Sequence, residues 1–339
     1  MIREAIQQLV ASVDLDREQA TAAMDEIMNG EATDVQVAGF LVALRMKGES
    51  VDEIVGMVSS MRDHATAIEA PAGAVDTCGT GGDGAGTFNI STAAALVVRG
   101  AGATVAKHGN RAASSQCGSA DVFEALGVPV TLPAPAIQEC LERTGIAFLF
   151  APTFHPAMRH AAKPRSELGV RTVFNFLGPL ANPARVRRQA LGAGSLEVAE
   201  KMVQVLQRLG HERALVFHSE DGLDELSTVA PAHVYELRED SIRELRLDST
   251  SLGLARAAAG DLKGGDAPHN AEIVISVLEG KSGPQRDVVV LNAAAGLVAA
   301  GLADDVAAAI SQAQAAIDNG SARDALESLR SVASSLVAV

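Results

Sequence analysis

Apolar residues recur at helical spacing through the first 70 positions, at Ile6, Leu9 and Val10 and again at Val35, Phe40, Leu41 and Leu44, with no proline before Pro71. Three- and four-residue recurrence puts such side chains on one helix face, so this region is predicted to form four helices. Gly30 and Gly48 stand where C-terminal caps belong, and Asp34 and Ser50 can start the helices that follow. The stretch 40–44 is almost wholly apolar. That pattern predicts burial, either in the chain's own core or against another subunit or domain.

The composition shifts at Pro71-Ala72-Gly73-Ala74, and Val75-Asp76-Thr77-Cys78 reads as a short strand entering a glycine-rich loop. Helical and strand patterns then alternate. A helix is expected at 91–99, a strand at 104–107, a helix at 120–126 and a strand at 146–150. Later strands are expected at 188–192 and 213–218 around a helix at 197–209, and two alanine-rich helices near 289–301 and 304–319 close the chain. Such alternation predicts an α/β fold with a mainly parallel sheet covered by helices.

At 339 residues and 47% hydrophobic, the chain has enough material for a large core and a smaller one, so two domains are expected. Acidic residues outnumber basic ones, 42 to 28, and the formal charge of −14 opposes any general grip on nucleic acid. One Tyr, nine Phe and no Trp leave little material for base stacking, which favours a small-molecule ligand. Three cysteines, Cys78, Cys117 and Cys140, fit neither a disulfide scaffold nor metal-ligand spacing, so a reducing cytoplasm is expected. The charged N-terminus and the lack of a long apolar window argue against export and membrane insertion.

Candidate chemistry sits in three segments. Residues 79–92 (GTGGDGAGTFNIST) place five glycines between a strand and a helix, so bare backbone N–H groups can approach an anion closely. Asn89, Ser91 and Thr92 add side-chain donors where the helix dipole also favours negative charge. The segment is a phosphate cradle without the Gly-Lys-Ser/Thr of a Walker loop or the spacing of a dinucleotide fingerprint. A glycine-rich turn with a helix cap is the plainer alternative.

Residues 107–121 (KHGNRAASSQCGSAD) again join a strand to a helix, and a loop at the carboxyl end of a neighbouring parallel strand faces the same crevice. Lys107 can offset phosphate charge as a point cation, and Ser115 and Ser119 can donate to phosphate oxygens. His108 reads as a pocket wall or as a packed histidine. Asp224 and Glu225 are adjacent carboxylates in a turn; they suit Mg²⁺ shared with substrate phosphates, or they are solvated surface. Arg165, near His155, Arg159 and Arg171, can meet a carboxylate in bidentate fashion, or belongs to a charged helix surface.

In order along the chain, these segments resemble the anthranilate phosphoribosyltransferase family. The likeness extends to Phe150-Ala151-Pro152 with His155, the run 171–180 with Asn182-Pro183, Gly222 to Glu225, and Gly264-Gly265-Asp266-Ala267 with Asn270-Ala271. It implies a small helical domain, residues 1–70 plus an inserted piece at about 164–186, on a larger α/β catalytic domain of residues 71–163 and 187–339. This is the nucleoside phosphorylase/phosphoribosyltransferase-like arrangement. The resemblance also implies transfer of the phosphoribosyl group of phosphoribosyl pyrophosphate to the amine of anthranilate, in tryptophan biosynthesis, by a homodimer joined through the helical domains.

Position by position, the resemblance assigns phosphoribosyl pyrophosphate to Gly79, Gly82, Asp83, Thr87, Asn89, Ser91, Thr92, Lys107, Ser115 and Ser119. It assigns anthranilate to Gly79, Asn110 and Arg165, with His108, Pro152, His155 and Gly178 along its path, and Mg²⁺ to Ser91, Asp224 and Glu225. Lys107, Asp224 and Glu225 would stabilise the transition state. The chain departs from the family in three places. Ala162-Lys163-Pro164-Arg165 stands where Ala-Pro-Val-Arg is usual, which could alter the aim of Arg165; Cys117 takes a position often polar or basic; and His269 replaces a common glutamate.

Overall fold

A computed structural model of the chain describes residues 1–112 and 116–337. Four N-terminal helices form as the spacing predicts: α1 (Ile2–Val10), α2 (Arg17–Met28), α3 (Asp34–Lys47) and α4 (Val51–Asp63). Their starts are chemically fixed. Asp16 with Gln19, Thr33 with Gln36, and Ser50 with Glu53 each form a reciprocal capping box, a device worth about 1 kcal/mol per cap. The cap of α3 is therefore Thr33 and not Asp34, whose side chain instead pairs with Lys163 at 2.7 Å. Gly48 ends α3 at φ +89°, a backbone region that glycine enters without a steric cost.

The α/β part follows as β1 (Val75–Gly79), α5 (Ile90–Gly100), β2 (Val105–Gly109), α6 (Ser119–Ala125), α7 (Ala134–Thr144) and β3 (Ile146–Phe150). A helical excursion comes next, α8 (Ala151–Phe154), α9 (Arg159–Leu168) and α10 (Phe174–Leu177), ending in a 3-10 turn at Gly178–Leu180. The chain returns through β4 (Arg188–Gly192), α11 (Leu196–Arg208), β5 (Arg213–Ser219), β6 (Ala232–Arg238) and β7 (Ser241–Leu247). It finishes with α12 (Ala267–Leu278), α13 (Pro284–Ala300), α14 (Val306–Asp318) and α15 (Ser321–Val337). The two closing helices expected from alanine content are thus followed by a third, α15. Its polar outer face and lower apolar content hide it from a reading based on alanine-rich runs.

The sheet has the order β3-β2-β1-β4-β5-β6-β7; the first five strands in that order run parallel, and β6 and β7 add an antiparallel hairpin at one edge. One face packs on α5 and α13. Every residue of α13 from Val288 to Ala300 is buried, as befits a helix apolar all round. The other face of β4 to β6, through Leu191, Ala214, Val216 and Leu237, joins α11 and the N-terminal helices in one continuous core. Alternation of side chains along each strand divides the two cores.

Phe40, Leu41 and Leu44 are fully buried within this chain, so the apolar run at 40–44 is internal packing and gives no argument for a partner. Val10 and Val35, read as buried from their spacing, are instead 71% and 81% exposed. Among the described residues no helix is long and apolar enough to cross a membrane.

His211, between α11 and β5, is buried with its Nδ1 3.1 Å from the Leu206 carbonyl, and burial lowers its pKa to about 3. The unfolded chain takes up this proton below about pH 6.5, whereas the folded one does not until about pH 3, so stability is lost as pH falls through that window. His211→Gln therefore gives a shallower acid limb than the parent, by about 1.4 kcal/mol per pH unit near pH 5. Urea titrations from pH 7 to 4.5 measure this, and parallel curves for the two proteins would refute it.

Candidate functional site

A cleft of about 350 Å³ opens at the carboxyl ends of β1, β2 and β4, where the loops after these strands meet the α9–α10 segment. Ligands of open α/β sheets bind at such crevices. The cleft is lined by Gly79, Gly82, Asn89, Ser91, Thr92, Lys107, His108, Asn110, Ser119, Arg165, Asp224 and Glu225, so most of the candidate residues converge. Asp83 and Thr87 do not line it. They line an adjoining pocket of about 290 Å³, together with Lys263, Gly264 and Gly265, and the Asp83 side chain also meets the Asp224 carboxyl. Ser115 lies outside the described residues.

Glycine is required in the loop for two separate reasons. Gly81, Gly82, Gly84 and Gly86 all have φ between +65° and +77°, and a chain of side-chain-bearing residues would be strained at each. Gly79 is needed for room: a Cβ there would stand 2.5 Å from Asp224 Oδ2. On the next strand, Gly192 serves the same turn, since its Cβ would fall 1.6 Å from the Asp224 carbonyl oxygen. Sequence reading passed over Gly192 because a single glycine at a strand end carries no motif.

The acidic pair accepts directly from amides of the glycine-rich loop and of the helix start. Asp224 Oδ2 accepts from the Gly81 N–H at 2.6 Å, and Glu225 Oε1 accepts from the Ser91 N–H at 3.0 Å, at the first turn of α5. Both carboxyl pKa values are raised, foremost by burial. The charge of Asp83 adds to this for Asp224, and that of Asp224 adds for Glu225. Two buried carboxylates and the Ser91 hydroxyl make an incomplete oxygen set, and among the described residues no three His, Cys, Asp or Glu side chains close a metal cage. Such a set fits Mg²⁺, which keeps waters and shares substrate phosphate oxygens, and a divalent cation would relieve the crowding of like charge.

Lys107, only 2% exposed at the end of β2, donates to the Thr77 carbonyl at 2.5 Å and to Ser91 Oγ at 3.3 Å, which aims its charge into the cleft. Behind it, Asp76 accepts from the His108 N–H at 3.2 Å and from the Asn182 side-chain amide at 2.8 Å. Burial raises the Asp76 pKa to about 6, against the pull of Lys107. Thr92 Oγ1 is buried in the cleft wall and has no hydrogen-bond partner among the described residues, which suits it to a ligand oxygen. Asn89 is engaged instead with the protein, donating to the Cys117 carbonyl and accepting from Asn270 at 2.9 Å.

His108 Nδ1 lies 3.2 Å from the Gly178 carbonyl, and its ring sits 5.2 Å from that of His155. Burial lowers their pKa values to about 3 and about 4, so both are neutral at pH 7; His108 lines the cleft, whereas His155 is buried beside it and, like Pro152, does not line it. Arg165 lines the far side, its guanidinium 4.9 Å from the Phe174 ring centroid. Pro164 lies inside α9, yet the helix runs on to Leu168, so the shifted proline leaves Arg165 facing the cleft. Cys117 is buried and lines the adjoining pocket, and the backbone N–H of His269 caps onto Asp266 at 3.1 Å.

The glycosyl transferase family matches the chain in two parts, its helical bundle domain at residues 3–65 and its a/b domain at residues 71–323. An anthranilate phosphoribosyltransferase of Thermomicrobium roseum is 53% identical, covering 99% of this chain and 98% of the relative. The crystal structure of anthranilate phosphoribosyltransferase from Thermus thermophilus is 42% identical with a TM-score of 0.93, covering 97% of this chain and 99% of that one. The Saccharomyces cerevisiae enzyme in complex with PRPP and Mg is 26% identical with a TM-score of 0.91, and 98% of each chain is covered.

Proposed function

This chain belongs to the anthranilate phosphoribosyltransferases of the glycosyl transferase family, and from that premise we propose how its cleft carries out the reaction. The enzyme transfers the 5-phosphoribosyl group from phosphoribosyl pyrophosphate to the amine of anthranilate, releasing pyrophosphate, in tryptophan biosynthesis. The observation that carries the assignment of roles is the convergence of a glycine-rich amide cradle, a buried lysine and a carboxylate pair at one end of the parallel sheet.

An aromatic amine is neutral at pH 7, so its attack on the anomeric carbon requires no strong base. The demanding step is departure of pyrophosphate. The amides of the glycine-rich loop, the Thr92 hydroxyl and the Lys107 ammonium stabilise the negative charge that grows on the leaving group, and Ser119 adds a further phosphate contact. Asp224, Glu225 and Ser91 hold Mg²⁺, which supplies Lewis-acid neutralisation of the phosphate oxygens when bound. Opposite them, Arg165 takes the carboxylate of anthranilate and Asn110 orients its ring. Proximity of the two substrates then contributes several kcal/mol to the rate.

The helical domain comprises residues 1–70 with the inserted piece at about 164–186, and the α/β domain comprises 71–163 and 187–339. Support comes from the shared core that joins Val173, Phe174 and Leu177 to α3 and α4. Val10, Val35 and Met46 leave large apolar side chains in solvent on the helical part, which supports a homodimer joined through it. The three cysteines are buried and form no disulfide among the described residues, in keeping with a cytoplasmic protein.

Loss of anthranilate fluorescence on adding phosphoribosyl pyrophosphate, with and without Mg²⁺, tests the reading; no loss at any Mg²⁺ concentration would overturn it. In the same assay Arg165→Ala is expected to raise the KM for anthranilate by one to two orders of magnitude, about 1.5–3 kcal/mol for a charged hydrogen bond, while kcat changes less. An unchanged KM would remove Arg165 from the anthranilate site.

A further inference from the structure

We propose that Arg171, which no assigned substrate contact uses, is the positioning residue that holds the glycine-rich loop in its binding-competent shape before the substrate arrives. The proposal rests on the reading of that loop as the pyrophosphate cradle. Arg171 lies between α9 and α10, on the segment that also carries Arg165, and its guanidinium reaches across the cleft mouth. Nη1 donates to the Gly82 carbonyl at 2.9 Å and Nη2 to the Gly81 carbonyl at 3.1 Å, the two-pronged geometry to which the planar fork of arginine is suited.

The fit between the two partners is close. A Cβ on Gly82 would stand 1.5 Å from Arg171 Nη1, so glycine at this position answers to Arg171 as well as to its φ of +77°. Gly81 is clasped from both sides, with its N–H on Asp224 and its carbonyl on Arg171. Among the described residues Arg171 forms no ion pair, so its charge is directed at two carbonyl dipoles and at the cleft that it lines.

A loop with glycine at 81, 82, 84 and 86 has more backbone freedom to lose than one of side-chain-bearing residues of its length. The loop is anchored at its ends, where the Thr80 N–H donates to the Gly192 carbonyl and the Gly264 N–H to the Gly86 carbonyl, each at 2.9 Å, and residues 81–85 between them lie outside any helix or strand. Arg171 and Asp224 remove part of that freedom in advance, and the affinity for the anion gains what the ligand no longer has to spend on ordering the loop.

The test uses Arg171→Ala and Arg171→Lys in the full-length protein, read by amide hydrogen exchange of residues 79–88 without ligand and by steady-state kinetics for both substrates. Arg171→Ala is expected to speed exchange across the loop and to raise the KM for phosphoribosyl pyrophosphate about tenfold, with kcat and the KM for anthranilate within about twofold. Arg171→Lys, with one ammonium for two carbonyls, recovers part of the loop protection and part of the KM together. Unchanged loop exchange in Arg171→Ala would overturn the proposal. So would a lysine variant that restores KM without restoring protection, because Arg171 would then act as a direct phosphate contact. Exchange in the unliganded protein does not depend on the reaction, so an inactive parent enzyme would count against the function and leave this measurement intact.

Discussion

Replacing Lys107 by methionine should lower kcat/KM for phosphoribosyl pyrophosphate by about 10²–10³, the range found when one preorganised donor to a developing charge is removed. Methionine keeps the length of the buried stem, so the change isolates the ammonium. That ammonium is held by the Thr77 carbonyl and Ser91 Oγ and is almost wholly withdrawn from water, where a charge acts more strongly than on the surface. Its loss also removes the cation that lowers the pKa of both Asp76 and Glu225, so both carboxyls move further up. The variant should therefore be less stable near pH 7 as well, because both buried carboxyls are then costlier to ionise in the folded chain. Steady-state kinetics together with thermal melts separate the two effects. A variant that melts lower but turns over like the parent would confine Lys107 to a structural role.

The second large effect is expected at Gly192. An added methyl there would meet the Asp224 carbonyl carbon and oxygen at 2.5 Å and 1.6 Å, and both are backbone atoms that cannot rotate away. The turn that carries them is held from several directions. Ser219 Oγ donates to the Glu225 carbonyl at 2.7 Å, and Asn292 bonds both the N–H and the carbonyl of Leu226 at 2.9 and 2.8 Å. Gly192→Ala must therefore displace the carboxylate pair by about an ångström, a misplacement that costs on the order of 100-fold in rate, with about 1–3 kcal/mol of overpacking strain. Gly194→Ala, whose nearest atom would be at 3.4 Å, is the control and should change both measurements little. Equal activity in the two alanine variants would show that the pair's placement does not matter to turnover.

How much of the site could be read from the chain depended on whether a residue's role is local. Gly79 to Thr92 and Lys107 to Ser119 were legible because glycine, hydroxyl and lysine are concentrated within short loops that follow apolar strand patterns. Asp224 and Glu225 remained ambiguous, since adjacent acids look alike whether solvated or buried. The tertiary structure brings them to the amides of Gly81 and Ser91, 143 and 134 positions away in sequence. Asp83 and Thr87 share the loop with Gly79 yet line the adjoining pocket, and the Asp83 side chain also meets the Asp224 carboxyl, a pairing that spacing along the chain does not disclose. Asn270 appeared only as part of a family pattern, and its role of bridging Asn89 and the Gly265 N–H appears only in space.

The sequence by itself determined the four N-terminal helices, three of which start in capping boxes whose two residues are three positions apart. It also determined the parallel core strands and the glycine-rich cradle, because each depends on periodicity or on the conformational freedom of single residues. Only the tertiary structure decided that Phe40 faces its own core, that Gly192 exists to admit Asp224, and that Arg171 grips the cradle from a different part of the chain. The physical reason is range. Propensity and capping act over a turn or two of backbone, whereas steric clearance, burial and charge pairing depend on which distant segments the fold brings within a few ångströms.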